Sequence, residues 1–271
     1  MKLPRRFSLI ELLVVLAILL ILISMISPAL KRAVNAARLA VCQQNLHQIG
    51  LATQLYCEDY QLFPPGIYMY ETDVSYVLAG YVSGRDEWYG LSSEGKRNFS
   101  SRSKVWECPA NVINDDGDFV VRSYPAHSFL MPHMRWQPPD GSAPGRTQFV
   151  CNRLRRPSEV VIFGDGNQNQ RHTLTYGVSS QNATIVSEAS AIFYPWPWYP
   201  WTECPFWNAD KGDPAKAEDP APLFADEDVD LAPSVPRYRH LADTAAFIFG
   251  DLHATAVAKG ALLEKNVRVN Y

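Results

Sequence analysis

One carboxylate, Glu11, stands at the mouth of a run in which residues 12–23 are all apolar. An acid set against hydrocarbon needs a cation or water, so Glu11 either pairs with a partner or reaches an aqueous boundary. Further along, Asn114-Asp115-Asp116-Gly117-Asp118 gathers oxygen donors of the kind a calcium loop uses. Pro125 stands where an EF-hand would carry its twelfth-place glutamate, so Asp116 and Asp118 are calcium candidates weighed against a plain solvated turn. His240, Asp251 and His253 have donor types that suit a divalent metal; hydrogen bonding to loop backbone is the alternative. Trp196, Trp198, Tyr199 and Trp201 are interleaved with prolines. Such rings, splayed on extended backbone, suit a glycan or a protein partner, or else roof the core. No nucleophile elbow, P-loop, His-Glu-x-x-His or dinucleotide fingerprint occurs, so no enzyme and no organic cofactor is expected.

The cysteines add constraints. Cys42 and Cys57 fall on one expected helix about 22 Å apart, too far to bridge each other. Cys108, Cys151 and Cys204 complete an odd set of 5, which leaves at least one thiol free. No Cys-x-x-Cys pair is present, which argues against a zinc ribbon. Residues 1–60 carry a net +3 and the remainder a net −6. An acidic major part argues against nucleic acid as the partner.

The elements that must position these residues start with residues 7–30. Lys2, Arg5 and Arg6 precede the apolar run. A secretory signal peptide, a permanent membrane helix and a segment cut before the run and then kept as a helix all begin this way. Ser27-Pro28-Ala29 is a poor signal-peptide exit, and that reading leaves Glu11 unexplained. Residues 12–23 alone favour insertion by on the order of 5 kcal/mol. With their flanks they make about 20 residues, enough for ~30 Å of hydrocarbon. Lys31, Arg32 and Arg38 follow the span, so flanking charge does not fix its orientation. Beyond Pro28, apolar positions recur at Val34, Ala37, Val41, Leu46, Ile49, Ala52 or Thr53, and Tyr56. That spacing predicts an amphipathic helix ending near Asp59–Tyr60, ahead of Phe63-Pro64-Pro65-Gly66.

Residues 61–271 read as short strands and long loops. Strand character marks residues 159–163, 173–178, 183–187, 245–249 and 253–258. Ile162-Phe163-Gly164-Asp165 recurs as Ile248-Phe249-Gly250-Asp251, either as two similar strand-to-turn corners or by chance. The last two strands predict a hairpin turning at Gly250-Asp251-Leu252. Leu252 disfavours positive φ, which argues against a tight type I′ turn there. Residues 195–236 hold nine of the 20 prolines and many acids, and read as an insertion with loop character.

Arg6-Phe7-Ser8-Leu9-Ile10-Glu11-Leu12-Leu13-Val14-Val15 resembles the cleavage and methylation motif of type IV pilins and type II secretion pseudopilins. The resemblance implies a leader of residues 1–6, cleavage between Arg6 and Phe7, and N-methylation of Phe7. The family's usual residue before the cut is Gly; here it is Arg6. It implies that Glu11 pairs with the freed amine of a neighbouring subunit's Phe7 during assembly, and that Pro28 bends the helix. Residues 37–50 with Tyr56, the patches Lys104-Val105-Trp106-Glu107-Cys108-Pro109-Ala110, Ser123-Tyr124 and Arg156-Pro157-Ser158-Glu159-Val160-Val161-Ile162-Phe163-Gly164-Asp165, and Arg239-His240 followed by Phe249-Gly250-Asp251-Leu252-His253 are similar to a bacterial prepilin-like family with large heads, abundant in Planctomycetes and Verrucomicrobia. The implied fold is pilin-like α+β: a long N-terminal helix, membrane-spanning over residues 7–30 and amphipathic over 31–60, packed on an antiparallel β-sheet head. The implied partners are a prepilin peptidase/N-methyltransferase, other pilin-like subunits and the membrane. The implied location is the bacterial inner membrane, single-pass, with the head in the periplasm or outside. A membrane-anchored binding protein that never polymerises is the alternative.

Overall fold

The amphipathic pattern and the apolar run form one continuous element. Helix α1 spans Leu9–Tyr60, 52 residues, or about 78 Å at the α-helical rise. The computed structural model describes residues 8–65, 67–69, 72–83, 103–110, 123–124, 126–127, 130–131, 148–166, 214–219, 237–267 and 269. The helix runs through Pro28, whose missing N–H leaves the Ser24 carbonyl without its usual donor. It stops at Tyr60, where Gln61 turns left-handed (φ 59°) and its N–H donates to the Cys57 carbonyl at 2.8 Å.

The buried face of α1 is Cys42, Leu46, Ile49, Gly50, Ala52 and Thr53. The expected stripe holds from Leu46 onward, but its start is corrected. Val34 and Val41 are 42% and 45% exposed. The stripe instead runs through Leu39, partly buried against the core, and Cys42, because Val34 lies before the head and Val41 falls on the exposed side of the helix.

The face is received by a three-stranded antiparallel sheet. Strands β3 (Val161–Gly164), β4 (Thr244–Phe249) and β5 (Ala254–Ala258) lie in the order β3-β4-β5. Three of the five expected strands thus form; residues 173–178 and 183–187 lie outside the described residues. A small antiparallel pair, β1 (Ile67–Met69) and β2 (Thr72–Asp73), and short helices α2 (Val74–Val77) and α3 (Ala79–Ser83) follow α1 in the chain. Helix α4 (Glu264–Val267) lies near the C-terminus. The fold is α+β, a long helix on an antiparallel sheet.

Side-chain alternation along β4 divides the core in two. Ala246 and Ile248 join the α1 side with Leu46, Ile49, Trp106 and Phe163. Ala245, Phe247 and Phe249 join Tyr238, Leu262 and Val267 on the other face. Gly50 permits the close approach of helix to strand: a Cβ there would meet Ile248 Cδ1 at 2.3 Å. The end of α1 is stapled to the head by a disulfide between Cys57 and Cys151, 94 residues apart. Beside it, the Phe63 N–H donates to the Phe149 carbonyl at 2.8 Å and the Cys151 N–H to the Gln61 carbonyl at 3.2 Å.

The β4–β5 hairpin turns as expected at residues 250–252. Only Leu252 among its turn residues has positive φ, 71°, so no type I′ turn forms. Leucine nevertheless occupies a left-handed position. Its side chain packs toward Gly50, and its carbonyl accepts from His47 Nδ1 at 3.1 Å. These contacts tie the turn to α1 and offset the backbone cost. Of the insertion 195–236, residues 214–219 are described. Within them the Asp219 carbonyl accepts from the Glu264 N–H at 2.9 Å, and Glu218 accepts from Lys265 Nζ at 2.6 Å.

Candidate functional site

The two halves of α1 have opposite surroundings. Every residue from Ser8 to Val34 is exposed, and Leu16 and Leu20 are 51% and 67% accessible. The most apolar 18-residue window of α1 has mean hydropathy 3.2 and none of it is buried. A core helix of a soluble protein would be mostly covered by its own chain, and this one is bare. By length and composition the segment can cross a membrane once, as a single-pass anchor. A signal-peptide cut after Ala29 would fall in the middle of a continuous helix.

Glu11 has a partner within its own chain. Ser8 caps the helix, accepting from the Ile10 N–H at 3.3 Å, and the Ser8 N–H donates to Glu11 Oε2 at 2.9 Å. Together they close a capping box. The signal was present in the sequence as Ser8-Leu9-Ile10-Glu11 and is a third account of the carboxylate, beside assembly and the aqueous boundary. Arg6 and Phe7 lie outside the described residues.

A second site lies inside the head. Cys42, Cys108, Asp165 and His240 are all buried, and one donor atom from each lies within 4.8 Å of the others. Cys42 comes from the start of the buried stripe of α1. Cys108 follows the 3-10 turn Lys104–Trp106, which Ser103 caps. Asp165 follows β3, and its backbone is fixed by its N–H donating to the Ala246 carbonyl at 2.8 Å. His240 precedes β4 and is fixed by its N–H donating to the Thr244 carbonyl at 3.0 Å.

Within the cluster, His240 Nε2 lies 3.0 Å from Asp165 Oδ2 and 3.5 Å from Cys108 Sγ. Asp165 Oδ2 also accepts from the Ala246 N–H at 2.7 Å. Asp165 Oδ1 is buried without a hydrogen-bond partner among the described residues. The Ala110 N–H donates to Cys108 Sγ at 3.4 Å, and the Cys108 N–H to Ser123 Oγ at 2.8 Å. Burial pushes the His240 pKa down, but hydrogen bonds to Asp165 and Cys108 outweigh it and hold it up, at about 9. Burial, then the Cys42 thiol and the Asp165 charge, push the Cys108 thiol far above its ordinary value. Tyr124, whose hydroxyl lies 3.5 Å from Asn45 Nδ2, is likewise raised, chiefly by burial.

This is not a nucleophile–base relay. Carboxylate and thiol both meet the same ring nitrogen, whereas a relay needs one on each. The thiol is also buried and held in its protonated form.

The structure corrects the expected trio of His240, Asp251 and His253. His240 belongs to the buried cluster. Asp251 and His253 pair with each other in the exposed β4–β5 turn, Oδ1 to Nδ1 at 2.5 Å, with the His253 ring stacked on Phe249. The six residues of β4 run between them, and such a strand separates its ends by about 20 Å. Burial raises the Asp251 pKa, but bonds from His253 outweigh it and lower it. Asp116, Asp118, Trp196, Trp198, Tyr199 and Trp201 lie outside the described residues. Cys42, Cys108 and Asp165 were noted in the sequence only as cysteines and as part of a repeated corner, not as ligands, because they come together only through tertiary packing.

The bare helix, the α+β head and the disulfide define a protein with a candidate membrane anchor. Residues 31–77 match the family SBP_bac_10, described as protein of unknown function (DUF1559). The match runs from the middle of α1 through α2 and includes Cys42, Gly50 and Cys57. No curated protein and no solved structure matches the chain.

Proposed function

We propose that this chain is a pilin-like subunit of a type II secretion or type IV pilus-like assembly, inserted and assembled through the bare half of α1. One observation carries the reading: a single helix is packed by its own head from Leu39 onward and left uncovered over residues 8–34. A helix apolar all round needs apolar surroundings all round, which lipid or neighbouring helices supply. The prepilin peptidase cuts between Arg6 and Phe7 and methylates the new amine. Glu11 then exchanges its capping bond to Ser8 for the Phe7 amine of the next subunit, and Pro28 sets the bend. The head faces the periplasm or the outside of a bacterial inner membrane. The Cys57–Cys151 disulfide supports this, since such bonds persist in oxidising compartments. The role is mechanical rather than catalytic, and nucleic acid is not a partner.

Mass spectrometry of the mature N-terminus tests the processing. The expected product begins with N-methyl-Phe7. A chain that retains Met1, or one cut after Ala29, would sink the prepilin assignment. A methylated chain that stays monomeric in its native membrane would favour an anchored binding protein.

A further inference from the structure

We infer that Cys42, Cys108, Asp165 and His240 bind one zinc ion, as a closed structural site that fastens α1 to the sheet. The donor set is the first reason. Two sulfurs, one imidazole nitrogen and one carboxylate oxygen converge within 4.8 Å in a fully buried space. Borderline-soft divalent zinc takes these ligand types, four at a time and tetrahedrally. Four protein ligands leave no open position, which is the signature of a structural rather than a catalytic site.

The spacing is the second reason. Zinc bonds of about 2.3 Å to sulfur and about 2.0 Å to nitrogen or oxygen give ligand-to-ligand edges of roughly 3.3–3.8 Å. Cys108 Sγ to His240 Nε2, at 3.5 Å, is already such an edge. His240 Nε2 to Asp165 Oδ2, at 3.0 Å, opens by a few tenths of an ångström to become one.

The third reason is what the protein leaves unmatched. Asp165 is completely buried, yet its Oδ1 has no hydrogen-bond partner among the described residues. A buried carboxylate oxygen without a partner is rare and calls for a water or an ion beside the group. The supporting bonds suit metal ligands: the Ala110 N–H is aimed at Cys108 Sγ and the Ala246 N–H at Asp165 Oδ2. Outer-shell donors of this kind orient sulfur and carboxylate ligands. On binding, each thiol and the His240 imidazolium gives its proton to solvent, and the two sulfurs and Nε2 each give a lone pair to zinc, with no change of oxidation state.

The competing fate of the two sulfurs is a second disulfide, Cys42–Cys108, which would remove both ligands. The test uses the full chain, purified in mild detergent from cells grown with added zinc or cobalt. The zinc-grown chain should carry about one zinc by elemental analysis. The cobalt-grown chain should show tetrahedral d–d absorption and a thiolate-to-cobalt charge-transfer band, a readout that depends on no variant folding. Cys42→Ser and Cys108→Ser should each weaken zinc retention against a chelator by more than about 100-fold, beyond the ~10–100-fold typical of an outer-shell change. His253→Ala, in the exposed turn, should leave retention unchanged. A metal-free chain, a Cys42–Cys108 disulfide in the native protein, cobalt without a thiolate band, or loss of zinc in His253→Ala would each overturn the assignment.

Discussion

The same helix carries two kinds of apolar surface. Over residues 42–57 the apolar face is narrow, and the sheet, Trp106 and the disulfide cover it. Over residues 12–23 the apolar surface surrounds the helix and nothing covers it. A narrow stripe is what a helix needs to lie on one sheet; an encircling surface is what it needs among lipid tails or other helices. The difference sets a bare apolar half of the helix apart from a half that belongs to the core of the head, on one rod of backbone.

Placing charge in the bare half is the strongest way to break this comparison. Leu16→Arg with Leu20→Arg should cost about 6 kcal/mol of membrane insertion. The chain should leave the carbonate-washed membrane fraction while the head keeps its melting temperature. Removing the staple does the reverse. Cys57→Ser with Cys151→Ser opens a loop closed over 94 residues, and should cost the head about 4–5 kcal/mol. Membrane fractionation should not change.

Acid sharpens the contrast. His127 is fully buried, with Nε2 at 2.7 Å from the Val267 carbonyl. Burial pushes its pKa down from 6.5 to about 4. The unfolded chain therefore binds the proton more readily, so stability is complete above about pH 6.5 and falls as the pH drops toward 4, by about 3 kcal/mol. Denaturant titrations between those values should show the loss in the wild type and a flatter profile in His127→Gln. The bare half of α1 should keep its helicity in lipid throughout. The smallest effect on the chain itself comes from Glu11. Glu11→Gln retains a side chain able to close the capping box and removes the charge. It should alter stability by less than about 1 kcal/mol yet impair incorporation into the assembly. A Glu11→Gln subunit that assembles normally would show that the carboxylate serves only the cap.

What could be read from the sequence follows from how local the signal is. The end of α1 at Tyr60, the three strands and the bare apolar run all rest on local periodicity or local breakers, and all form. The start of the buried stripe was displaced because Val34 precedes anything to pack on and Val41 lies off the face that Leu39, Cys42 and Leu46 turn to the core. The two Phe-Gly-Asp corners show the limit most clearly. Asp165 and Asp251 follow the same three letters, and both end a strand. Yet Asp165 is buried beside His240, while Asp251 caps an exposed turn with His253. Local sequence reports the corner; only the partner elements decide what the carboxylate meets. For the same reason the Cys42–Cys108–Asp165–His240 cluster had no spacing to betray it, since its members come from four separate segments.

The central claim is that neighbouring subunits cover the bare half of α1. A photo-crosslinking residue placed at Leu20, activated in the native membrane, tests it directly. The account predicts covalent adducts between subunits through their helices. Adducts to lipid alone, with every chain monomeric, would contradict it.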